Sequence, residues 1–124
     1  MKLEDLTQRI LKASFQVSNE LGIGFLESVY ENAFLIALRD EGLRANSQVS
    51  LKVPFRGEIV GCFAADIVVE DKVLVELKAV KTLAPEHVAQ VLNYLKATKI
   101  EVGLLINFGS SKLEYRRFNN HFDN

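Results

Sequence analysis

Cys62 is the single cysteine of the chain, so no internal disulfide can form and a reducing compartment suits it. It lies in an apolar stretch with no base beside it, and reads as a buried structural thiol rather than a nucleophile. No apolar run approaches the ~20 residues that a membrane span requires. The opening Met1-Lys-Leu-Glu-Asp5 lacks the apolar core of a signal peptide. A cytoplasmic protein without a membrane partner is therefore expected. Neither charge is in excess: the net value of −1 argues against a generally basic protein that coats nucleic acid, while leaving room for a local basic patch. Repeats, low-complexity segments and linkers are missing too, and 124 residues suffice for one domain with its own core.

What is present is patterned. Leu3, Leu6, Ile10, Ala13 and Val17 recur at steps of three and four, an amphipathic helix that Gly22-Ile-Gly24 ends. A second helix is expected over 26–41, with Val29, Ala33, Ile36 and Ala37 as its inner stripe and Gly42 as its stop. Glu27, Tyr30, Glu31 and Phe34 share another side of it. Glu31 reads as solvated, Glu27 as aimed inward from the first turn, and Tyr30 as a core residue with its hydroxyl satisfied at the edge. Val49, Leu51, Val53 and Phe55 alternate as a half-buried strand, Arg56-Gly57 turns the chain, and 59–69 forms a second strand interrupted at Gly61. A third strand over 73–80 completes a meander.

Pro85 then opens a helix reaching Thr98, with Thr82 as an indirect cap because Ala84 cannot serve. Its core stripe is expected to be Val88, Val91, Leu92 and Leu95; His87, Gln90 and Tyr94 form a second, polar stripe, of which Gln90 is best placed to reach the end of the preceding strand. The continuous apolar run 102–108 reads as a strand buried on both faces, closing a parallel βαβ unit. An edge strand over 113–118 and a polar tail over 119–124 follow, so the domain is expected to span 1–118. Lys81, Lys96, Lys99, Lys112, Arg116 and Arg117 would form a modest phosphate-binding rim if they share a side.

The chemistry concentrates between Asp66 and Lys78. If Glu70-Asp71-Lys72 is the connecting loop, Val69 faces Val73 and Asp66 falls opposite Glu76, with side chains ~5 Å apart on one face. Lys78 projects from the same face. A two-residue loop would separate the acids. Two facing carboxylates repel unless something positive lies between them, and a divalent cation with hard oxygen ligands would serve. A solvated strand face with the same residues is the plain alternative.

The order α-α-β-β-β-α-β, with Asp on the second strand and Glu-x-Lys on the third, resembles the PD-(D/E)xK nuclease superfamily. Gly24-Phe-Leu-Glu27-Ser-Val-Tyr30 matches the motif that names its GxxExxY branch, a small bacterial family. The match continues through Ala65-Asp66, Val75-Glu76-Leu77-Lys78-Ala79-Val80, Gln90-Val-Leu-Asn-Tyr94 and Gly103-Leu-Leu-Ile-Asn107-Phe. The resemblance implies an α/β fold with a restriction-endonuclease-like core, α-β-β-β-α-β, an extra N-terminal helix and a mixed central sheet. It further implies Mg2+ or Mn2+ held by Asp66, Glu76 and the Leu77 carbonyl, with Glu27 as an outer or second-metal ligand. Lys78 would orient or activate the attacking water; Gln90 and Tyr94 would help position the site, with His87 and Tyr30 as further accessory candidates. The implied partner is nucleic acid, DNA ahead of RNA; 124 residues offer little surface for a duplex, which makes a homodimer one option for a nuclease of this size. Ala65 stands where the superfamily's name has proline. The alternative is a nuclease-fold module that has lost turnover and binds nucleic acid or a protein.

Overall fold

The computed structural model describes residues 3–120. Eight elements follow one another: α1 (Glu4–Leu21), α2 (Glu27–Asp40), β1 (Ala45–Phe55), β2 (Glu58–Val69), β3 (Val73–Lys78), α3 (Pro85–Ala97), β4 (Val102–Asn107) and β5 (Glu114–Asn119). The strands form one mixed sheet in sequence order, parallel only between β3 and β4 and antiparallel elsewhere. A parallel pair needs a crossover, and α3 supplies it. Val73, Val75 and Leu77 of β3 pack toward α1 and α2, while Leu74 packs toward Val91 and Leu95 of α3. The sheet is thus covered on both faces, which is why β4 is buried along its length.

Two helices turn differently from expectation. In α2 the residues directed inward are Tyr30, Phe34 and Leu38, whereas Val29 and Ile36 are exposed. The large residues at steps of four bury more apolar area than the Val29–Ile36 set, and they fix the rotation of the helix. In α3, Val91 and Leu95 are buried but Leu92 is exposed. Gly103 of β4 lets α3 approach the sheet: a Cβ there would lie 2.8 Å from Val91 and 3.0 Å from Leu95.

The exit from β3 is clamped. Asn107, fully buried, accepts hydrogen bonds from the Val80 and Gly109 amides (both 2.9 Å) and donates to the Val80 carbonyl (2.8 Å) and Glu114 (3.0 Å). That set satisfies all the polar capacity of a side chain held away from water. Gly109 packs so closely that an added Cβ would meet the Val80 and Ala79 backbone at 2.3–2.5 Å.

Beyond the pairing of Ile67 with Val75, β1 and β2 continue as an arm without β3 alongside. Cys62 lies on this arm and is exposed, correcting the expectation of a buried thiol. The apolar run around it faces no third strand. At the other end, the expected tail is partly structured: Asn119 ends β5, and Asn120 donates to the carbonyls of Leu95 (2.6 Å) and Ile100 (3.0 Å), which draws it onto the end of α3. Residues 121–124 lie outside the described residues. The basic side chains do not all share a side, since Arg116 and Arg117 are neighbours in β5 and project to opposite faces.

Gly109→Ala is expected to destabilise the fold by about 3 kcal/mol or more, because only backbone can move to admit the methyl group. Gly103→Ala should cost about 1–2 kcal/mol, since the atoms it meets are side chains that can shift. Urea unfolding of both variants checks the order.

Candidate active site

Asp66 and Glu76 converge. The connection is Glu70-Asp71-Lys72, with Val69 paired to Val73 as a three-residue loop requires. Arg44 holds this turn through a salt bridge to Asp71 (2.9 Å) and a backbone bond to Glu70. Among the described residues, the salt bridges from Lys12 to Glu41 and from Arg44 to Asp71 involve neither site acid. Backbone pairing between β2 and β3 ends at Ile67 and Val75, and side chains continue it. The Asp66 amide donates to Glu76 Oε1 at 3.1 Å, and the Leu77 amide donates to Asp66 Oδ2 at 2.8 Å. The strands splay, and each carboxylate bonds a backbone amide of the other strand.

Burial makes this pair costly. Glu76 is only 2% exposed. Its pKa is pushed up to about 8, first by loss of water, then by the charge of Asp66, with the Asp66 amide and Lys78 pulling the other way. Without a cation, Glu76 keeps its proton near neutral pH.

Other candidates gather around them. The Glu27 carboxyl is raised first by desolvation, then by Asp66 and Glu31, while Lys78 and His87 lower it. Although Glu27 reaches solvent, it therefore faces the same charges as the central pair. Gln90 Nε2 donates to the Tyr94 hydroxyl at 2.9 Å, and Tyr94 stacks on Phe63 with ring centroids 3.7 Å apart. Desolvation raises the Tyr94 phenol, which Asp66 and Glu76 raise further, so the Gln90–Tyr94 pair overlooks the acids. His87 serves the helix that carries it. Its Nδ1 accepts the Ala84 amide at 3.0 Å, completing the start of α3 from within and replacing the expected Thr82 cap.

Tyr30 stands apart from this group. Fully buried and stacked on Phe108, it donates its hydroxyl to the Gly22 carbonyl (2.6 Å) and accepts from the Phe25 amide (3.3 Å). It acts on the site only by fixing the loop that leads into Glu27. Glu31 corrects another expectation. Rather than a solvated charge, it is half-buried, bonded by Gln48, and raised by desolvation and then by Asp66 despite that bond. Sequence reasoning missed Gln48 altogether; a lone glutamine in a strand carries no signal.

A family model described as the PD-(D/E)XK nuclease superfamily matches residues 4–118. The chain belongs to that superfamily. Among solved structures, the superfamily domain is similar to the one titled "Crystal structure of SSO0001", with a TM-score of 0.60 and 15% sequence identity. The match covers 98% of this chain but 62% of that one, and supports the shared fold. No curated protein matches the chain significantly.

Members of this superfamily generally use divalent metal ions, and the residues here fit one particular kind. Among the described residues, no group of three or more His, Cys, Asp or Glu side chains converges as a ready ligand set. Two carboxylates with mutual repulsion match a hard cation completed by backbone oxygen, water and substrate phosphate. Asp66 and Glu76 would hold it, with the Leu77 carbonyl beside them.

The raised Glu76 gives a pH dependence of defined sign. Between about 4.5 and about 8 the folded chain keeps a proton that the unfolded chain has released. Folding stability in EDTA should therefore fall as pH rises through that window, by at most ~1.4 kcal/mol per unit. Glu76→Gln should flatten the slope and raise the melting temperature at pH 8, as thermal unfolding across pH will show.

Proposed function

We propose that this domain is a metal-dependent nuclease that hydrolyses phosphodiester bonds, with DNA as its substrate ahead of RNA and Mg2+ or Mn2+ as its cofactor. The observation that carries the proposal is the reciprocal Asp66–Glu76 clasp, two acids held together inside a nuclease-superfamily fold with Lys78 close enough to lower the pKa of one of them.

A bound divalent ion would supply polarisation of the phosphate and a more acidic water. The chain's own groups do the rest. Asp66 and Glu76 fix the position at which the phosphate is gripped, because the amides of Leu77 and Asp66 immobilise them. Lys78 balances negative charge on the phosphate and orients the attacking water. Glu27, one helix away and coupled to both Lys78 and Asp66, extends the acidic side of the site and takes an outer or second-ion role. Gln90 and Tyr94 border it on the α3 side and position the substrate; His87, tied to the helix start, stands near Glu27 as a further accessory group.

Within the superfamily, the motif fits the GxxExxY branch. Its three named residues divide by role: Gly24 takes a positive φ of 110°, Tyr30 fastens the loop, and Glu27 alone meets the charged groups. This division supports membership in that branch.

Asp66→Asn and Glu76→Gln should each lower Mg2+-dependent cleavage at least about 100-fold, the scale expected when an electrostatic group is removed, with circular dichroism unchanged. Lys78→Ala should lower turnover more than Mn2+ affinity. Labelled single- and double-stranded DNA and RNA, assayed with purified protein, provide the test. Salt-sensitive DNA binding without cleavage or Mn2+ uptake would replace the enzyme with a binding module.

A further inference from the structure

Gln48 lies inside β1 with φ of +49°. Other described non-glycine residues with positive φ are in turns (Arg56, Glu70, Asp71) or just before α1 (Leu3). The left-handed region costs an L-residue roughly 1–2 kcal/mol, and within a strand it also interrupts pairing. Two observations explain why it persists and what it does. The Gln48 amide nitrogen donates to both carboxylate oxygens of Glu31 on α2, at 3.0 and 3.2 Å. In the β1–β2 register, Ser47 pairs with Ile67 and Val49 with Ala65, so Gln48 falls opposite Asp66 in the one gap between them.

The sheet changes face at that gap. Ile67 and Val69 pack with α1 and α2, but Ala65 packs with α3, although residues two apart in a regular strand share a face. The same break occurs in β1, where Ala45 packs toward α1 and α2 while Val49 and Leu51 pack toward α3. Both strands twist over together, so the register survives. At the twist the Asp66 amide turns to Glu76 and its carboxylate to the Leu77 amide.

We infer that Gln48 is a positioning residue: its left-handed backbone, latched by Glu31, rotates the β1–β2 arm and thereby aims the Asp66 carboxylate at Glu76. This goes beyond the acids themselves and rests on reading them as the metal-holding pair. A strained backbone conformation held from outside, next to reacting groups, is a recurrent way of fixing such geometry.

Gln48→Ala and Gln48→Gly in the full chain separate backbone from side chain. Both lose the amide, but glycine adopts the positive φ freely and alanine does not. Mn2+ affinity by titration calorimetry is expected to fall about tenfold in the alanine variant and to stay within about threefold in the glycine variant. A readout without metal accompanies it: hydrogen exchange of the Leu77 amide in EDTA, normalised to global opening, should quicken in the alanine variant and not in the glycine variant. Equal behaviour of the two variants in both measurements overturns the inference. Should wild-type protein bind no Mn2+, the metal reading fails while Leu77 exchange still decides the positioning role. If Gln48→Ala does not fold, Glu31→Ala removes the latch instead, and unchanged Leu77 exchange there overturns the inference.

Discussion

Two carboxyl groups held against each other, one of them away from water, resist being there, and much of this molecule can be understood as the means of holding them. An ordinary ladder between β2 and β3 would satisfy the backbone and leave the acids to repel. Instead the ladder stops, and the amides of Asp66 and Leu77 bond the two carboxylates. Each acid thus receives partial positive charge from the strand that carries the other. That is enough to fix geometry but not to neutralise the pair, and the proton affinity of Glu76 is raised first by its burial and then by the charge of Asp66.

Rigid packing on either side makes this tolerable. The β3–β4 pair is parallel and covered on both faces, and Asn107 with Gly109 locks the chain immediately after Lys78. On the far side, Tyr30, Phe34 and Phe108 form an aromatic cluster that sets the rotation of α2 and delivers Glu27 and Glu31 to the acids. α3 contributes one paired hydrogen bond, Gln90 to Tyr94, backed by the stack on Phe63 from the arm. Elements far apart in sequence therefore meet where the regular pairing of β2 with β3 stops.

Several features were legible in the sequence. A three-residue charged loop between β-branched runs fixes which residues oppose each other, so the meeting of Asp66 with Glu76 followed from counting, and the crossover from Val73 to Asn107 followed from the apolar run after a helix. Tyr30 as a core residue with an edge hydroxyl was equally readable. Helix rotation was less so, because Val29 and Ile36 compete with Tyr30, Phe34 and Leu38 for the inside and only the area available on the sheet decides between them. Cys62 looked buried because its neighbours are apolar, yet the arm extends past the last strand that could cover it.

Local pattern by itself determined the order of elements and the pairing of the acids, since each depends on periodicity and loop length over a few tens of positions. Tertiary structure alone decided that Glu31 faces inward, that His87 caps its own helix, and that Gln48 twists the sheet beside Asp66. Those outcomes depend on contacts between segments that composition does not link: a left-handed residue is stable in a strand only when something distant holds it, and no spacing in the chain announces what that will be.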